Sequence, residues 1–77
     1  MTELLAFLVR ALVDEPEKVA VESFEEDDGT IVMELRVAPD DVGKIIGRGG
    51  RTVGALRNVI RACSVKEGRR ILVDVLD

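Results

Sequence analysis

Three glycines within four positions, Gly47, Gly49 and Gly50, interleave with Arg48 and Arg51 just ahead of a long helical pattern. A glycine-rich turn at the mouth of a helix lets backbone N–H groups approach a bound anion. The helix N-terminus adds about half a positive charge there. Phosphate is the anion that suits this chemistry. Two nucleotide-binding arrangements fail on spacing. A P-loop needs a glycine five residues before the glycine of its Gly-Lys-Ser/Thr triplet. Gly50-Arg51-Thr52 imitates the triplet, but the earlier position is Ile45 and arginine replaces lysine. A dinucleotide fingerprint opening at Gly47 meets Gly49 and then Thr52 where a third glycine belongs, and it follows a helical turn rather than a strand. What remains is a Gly-x-x-Gly loop facing the backbone of a nucleic-acid strand.

Net charge argues against that reading only until its distribution is considered. The chain carries 11 Lys/Arg and 15 Asp/Glu, a formal charge of −4. Residues 1–40 hold a net −8 and residues 41–77 a net +4, with Glu67 the one acidic residue among eight basic ones between 42 and 70. The positive field is concentrated on the glycine-rich segment, and the acidic half repels strands from the other surface.

The elements that position the loop follow from periodicity. Leu4, Leu5, Phe7, Leu8, Ala11 and Leu12 recur at helical spacing, which predicts an amphipathic helix over residues 3–14 with Thr2 as N-cap and Pro16 as its stop. Val19 to Phe24 reads as a strand and Glu25 to Gly29 as an Asp-Gly turn. Ile31, Met33, Leu35 and Val37 alternate with Thr30, Val32, Glu34 and Arg36 in a half-buried strand. Pro39-Asp40-Asp41 opens a short helix ending at Ile46, with carboxylates in its first turn. Residues 51–65 form the longest helix, and Ile71, Val73 and Val75 mark a last strand. The order is α-β-β-α-α-β, one α+β domain over residues 1–77 with helices on one face of a three-stranded sheet.

The run Ile45-Ile46-Gly47-Arg48-Gly49-Gly50-Arg51-Thr52-Val53, with Val42-Gly43-Lys44 before it and Arg57 and Ile60 after, resembles the signature of KH domains. Their Gly-x-x-Gly loop clamps four backbone nucleotides. The element order is similar to the type II KH arrangement. Length and motif resemble the small bacterial single-KH proteins of the KhpA family over residues 2–76. The resemblance implies single-stranded RNA as partner and a role as RNA chaperone or post-transcriptional regulator. It also implies pairing as a homodimer or with a larger KhpB (Jag/EloR)-like RNA-binding protein. It departs from the family pattern at Gly49, where many members place a polar side chain, and at Gly54, where lysine is common.

On this reading the candidate RNA-binding residues are Lys44, Ile46, Gly47, Arg48, Gly49, Gly50, Arg51, Thr52, Val53 and Arg57. The phosphates are expected against the amides of Gly49, Gly50 and Arg51, with charge from Lys44, Arg48 and Arg51. Val53, Leu56, Val59, Ile60 and Cys63 share the core face of the long helix; Arg51, Gly54, Arg57, Asn58 and Arg61 share the other. Ile46 and Val53 suit either core or the floor of a base-binding groove. Val32, Leu72 and Leu76 alternate outward on the sheet's far face, a hint of self-association.

Absent residue types narrow the function further. With no Trp, Tyr or His, and with Phe7 and Phe24 far from the loop, base stacking on aromatics is excluded. No cofactor, metal cluster, Cys/His nucleophile or small-molecule site is expected, so the chain does not read as an enzyme. Cys63 alone forms no internal disulfide, which suits a cytoplasmic protein. Glu3 and Arg10 make the first helix neither a signal peptide nor a membrane span. The rival is an assembly module with a KH fold, whose loop binds a protein and touches RNA incidentally.

Overall fold

The order of elements puts the glycine loop where two helices meet. The computed structural model describes residues 1–76. Helix α1 spans Thr2–Arg10, strand β1 Ala20–Glu25, strand β2 Ile31–Arg36, helix α2 Val42–Ile46, helix α3 Arg51–Glu67 and strand β3 Ile71–Val75. Single 3-10 turns occupy Pro16–Lys18, Pro39–Asp41 and Arg48–Gly50. The α+β architecture and the α-β-β-α-α-β order are those expected from the sequence.

The sheet order is β1-β2-β3. β1 and β2 form an antiparallel hairpin running from Ala20↔Arg36 to Glu25↔Ile31. β3 lies parallel to β2, from Ile31↔Ile71 to Leu35↔Val75. A parallel neighbour needs a crossover. Helices α2 and α3 are that crossover, so the loop between them is held at the helical layer. Met33 and Leu35 project from the central strand into the core. They meet Leu5 and Val9 of α1, Ile45 of α2, Leu56 and Ile60 of α3, and Val73 of β3. Fully burying side chains of this size contributes about 1.5–3 kcal/mol each. Leu72, on the far face, stays 42% exposed.

Three expectations are corrected. Helix α1 ends at Arg10 rather than at residue 14. The amides of Asp14 and Glu15 donate to the Asp41 carboxylate instead, each at 3.1 Å, which draws the chain off the helix axis. Thr2 lies inside α1, and the N-cap position is Met1 with no side-chain cap bond. Val59 is 43% exposed rather than core, because the buried face of α3 is centred on Val53, Leu56, Ile60 and Ser64.

Asp41, read from the sequence as a first-turn carboxylate of the short helix, does more than favour the helix start. It is 1% exposed and accepts two backbone N–H groups from the segment after α1. A buried carboxylate needs such partners. It pins the α1–β1 connection against the start of α2.

Candidate nucleic-acid interface

The loop begins where α2 runs out. Gly47 ends α2 with φ 74° and ψ 175°, a backbone shape that disfavours any side chain, and its N–H donates to Gly43 at 2.9 Å. A Cβ on Gly47 would lie 2.4 Å from Thr52 Oγ1. Glycine is therefore required here by Thr52 across the loop, independently of any bound strand. Gly50 differs. A Cβ there meets nothing within 4 Å, and its φ of 77° alone calls for glycine.

Between them the chain makes one 3-10 turn. Gly50 N–H donates to Gly47 O at 3.3 Å and Arg51 N–H donates to Arg48 O. Two of the three amides assigned to phosphate are thus already used within the loop. Among the described residues, the Arg48 and Gly49 amides enter none of the loop's backbone bonds, and no side chain caps α3. The first N–H groups of a helix have no intrahelical partner and carry its positive pole. Arg48 and Gly49 are exposed, and Arg51 stands exposed at the first position of α3. Neither Arg48 nor Arg51 joins an ion pair among the described residues.

The remaining candidates divide. Ile46 is 38% exposed beside the loop, whereas Val53 is 6% exposed and belongs to the core side of α3. Lys44 is committed elsewhere. Its ammonium pairs with Asp14, and lies 3.9 Å from Asp41. The hydrogen bond to Asp14 raises the Lys44 pKa above its ordinary value, with the charges of Asp14 and Asp41 adding to the effect. Arg57 is not at the loop. Its Nε and Nη2 donate to the Val73 carbonyl at 3.2 and 3.0 Å, tying α3 to β3.

Next to the loop, α1, the Leu12 that follows it and α3 share a mostly apolar hollow of about 360 Å³ lined by Leu8, Leu12, Arg51, Thr52, Ala55, Leu56 and Val59. Leu12 and Val59 are 46% and 43% exposed on it. Helical spacing reads Val59 as core; its exposure follows from where the buried face of α3 is centred, which the pattern of one helix does not carry.

The KhpA/KhpB KH-domain family model matches residues 2–75. The chain belongs to this KH family. Among its relatives, "RNA-binding protein KhpA" of Clostridium acetobutylicum is 42% identical over 99% of this chain and 100% of that one. The protein of the same name from Halalkalibacterium halodurans is 46% identical, covering 100% of both chains. The Streptomyces coelicolor protein of that name is 47% identical, covering 100% of this chain and 92% of its own. Among solved structures, Era in complex with MgGDPNP and nucleotides 1506–1542 of 16S ribosomal RNA superposes with a TM-score of 0.65 at 21% identity. That match covers 96% of this KH chain but 28% of Era, and it shows the shared fold. Among the described residues no helix of this KhpA relative is long and apolar enough to cross a membrane, and no group of three or more His, Cys, Asp or Glu could hold a metal.

Proposed function

We propose that the chain is a single KH domain that binds single-stranded RNA in the cytoplasm, as a chaperone or post-transcriptional regulator rather than an enzyme. The observation that carries this is the uncapped turn at Arg48–Gly49, where, among the described residues, two amides enter no backbone bond of the loop, the helix N-terminus has no side-chain cap and two arginines join no ion pair. Phosphates lie against the Arg48 and Gly49 amides and the mouth of α3. Arg48 and Arg51 supply charge. Gly47 and Thr52 hold the loop's shape. Ile46 offers an apolar ledge, and bases turn toward α3 and the edge of β3. The relatives' shared name supports the RNA partner.

Arg48→Asp combined with Gly49→Asp tests this. The double variant reverses the loop's charge at two exposed positions without touching the core. Loss of binding to RNA octamers by a variant with an unchanged circular dichroism spectrum is expected. Undiminished binding would take the loop out of the mechanism.

The α1–α3 hollow favours pairing in addition. One domain holding about four nucleotides binds weakly, and a second copy raises avidity through effective concentration. A self-complementary apolar patch is the simplest way to build a twofold dimer. A larger KhpB-like protein is the other partner this surface suits, since the family groups KhpA with KhpB.

A further inference from the structure

Arg57 shares one flank of α3 with Gly54 and Arg61, at the three- and four-residue spacings that make helical neighbours. No Cβ on Gly54 would meet anything within 4 Å, so the flank is open between the loop and Arg57. The guanidinium is exposed yet fixed, because Nε and Nη2 both donate to the Val73 carbonyl. That uses the side-on fork of the planar group. The end-on fork, Nη1 with the second N–H of Nη2, takes part in no hydrogen bond among the described residues.

The strand edge beside it is equally one-sided. Ile31 N–H donates to Arg70 O and Leu76 N–H to Leu35 O, each at 2.9 Å. With the register Ile31↔Ile71 to Leu35↔Val75, alternation turns the backbone of Leu72 and Asp74 toward β2. The backbone groups of Ile71, Val73 and Val75 face the open edge. Val73 would there offer one donor and one acceptor, but Arg57 fills the acceptor. Donors remain: the Val73 N–H and the guanidinium fork. They border a concavity of about 320 Å³ that wraps the edge of β3 onto the far face of the sheet, where Val32, Leu72 and Asp74 line it with Arg61. The Asp74 carboxylate makes this a poor place for a phosphate and a better one for a neutral base.

Resting on the reading of the loop as an RNA clamp, we propose that Arg57 is the specificity-determining residue of the groove and selects guanine. The Hoogsteen edge of guanine presents N7 and O6, two adjacent acceptors that an arginine fork meets bidentately. Adenine puts an amino donor beside N7, cytosine presents an amino group, and uracil offers a lone carbonyl at that edge. Unstacked bases in a single strand leave this edge open to a protein. The Val73 carbonyl holds the fork in place before the base arrives, so little side-chain freedom is lost on binding.

The test uses A/C octamers carrying one central guanine, 7-deazaguanine or adenine, titrated by fluorescence anisotropy at several salt concentrations. The whole protein should prefer guanine over adenine by about tenfold, within the range for a bidentate base contact. Replacing N7 by carbon should remove most of that preference in the wild-type protein, where no question of folding arises. Arg57→Lys, which keeps the charge and loses the fork, should bind all three octamers alike. Its salt slope should be unchanged. Binding by wild type without a guanine preference, or with one indifferent to 7-deazaguanine, would overturn the proposal and leave the loop reading intact. So would Arg57→Gln weakening every octamer equally with a slope shallower by about 0.7, the mark of a phosphate contact. Failure of wild type to bind any octamer would overturn both.

Discussion

Gly47 and Thr52 face each other across the loop so closely that a Cβ on the glycine would lie 2.4 Å from the threonine Oγ1 and 2.8 Å from its Cβ. Position 47 therefore carries two separate demands, a positive φ and an absent side chain. Gly49 and Gly50 carry only the first, since a Cβ on either meets open space. Gly47→Ala should cost more than Gly49→Ala, whose left-handed backbone accounts for roughly 1–2 kcal/mol. Urea unfolding measures the difference. Adding Thr52→Ser should not restore Gly47→Ala, because all three close atoms, Oγ1, Cβ and the backbone N at 2.9 Å, have counterparts in serine. Full restoration would show that the Thr52 methyl group, rather than Oγ1 and Cβ, is the obstacle.

Salt dependence reads how many phosphates the corner neutralises. With two or three contacts, log affinity should fall with log salt at a slope of roughly −1.4 to −2.1 for a single strand. Arg48 and Arg51 are free to contribute, and Lys44 is not while Asp14 holds it. A flat response in octamer titrations from low to physiological salt would remove the phosphate clamp.

Asp14→Asn tests the competition for Lys44. The pair raises the Lys44 pKa, so whatever stability it contributes is complete below the ordinary lysine value of 10.5 and is lost as pH rises through the higher folded value. The lysine is thus fully charged at neutral pH with or without Asp14, and the substitution changes only what that charge faces. Freed, it can swing toward the loop. RNA affinity should rise and the salt slope should steepen by about 0.7. No change in either would mean that Lys44 stays on Asp41 and never reaches a strand.

Asp41 and Arg57 show where reading the chain ends. Periodicity and turn residues reveal the element order, because a half-buried strand or a helix face repeats within a few residues. The glycine run reveals the loop for the same reason. Asp41 reads locally as one more acid at a helix start, yet its partners are amides 26 and 27 positions earlier. Arg57 reads as one of several cations on a polar flank, and its acceptor lies 16 residues on, on a strand edge. Within the loop, glycine spacing predicts an exposed turn but not which amides its 3-10 bonds consume. Those three facts depend on tertiary position, for which sequence spacing has no counterpart.

Asp41→Ala should be the most damaging single change outside the apolar core. It leaves the Asp14 and Glu15 amides without their acceptor, at about 1–3 kcal/mol for each group that water does not reach. Domains have roughly 0.05–0.15 kcal/mol of stability per residue, so this is a large share of the total. A fall in the urea midpoint is expected, with RNA affinity of the remaining folded fraction little altered. An unchanged midpoint would mean that solvent satisfies both amides and that the buried carboxylate contributes nothing net.

Gly54 and Val59 occupy different flanks of α3 and separate the protein's two surfaces. Gly54→Ala adds a Cβ in open space on the groove flank and should stabilise the helix by about 1 kcal/mol, the difference in helix propensity. Val59→Asp puts a charge into the α1–α3 hollow, where the valine is 43% exposed and no unfolding penalty of a core position applies. If the hollow is where two copies meet, that charge is buried in the dimer and only there. Light scattering should then report the mass of one chain for Val59→Asp and of two for wild type. Octamer affinity per domain should hold, while affinity for a longer strand spanning two domains should drop. An equal mass for both proteins would move pairing to another surface, and the outward row of Val32, Leu72 and Leu76 on the sheet would be the next to test.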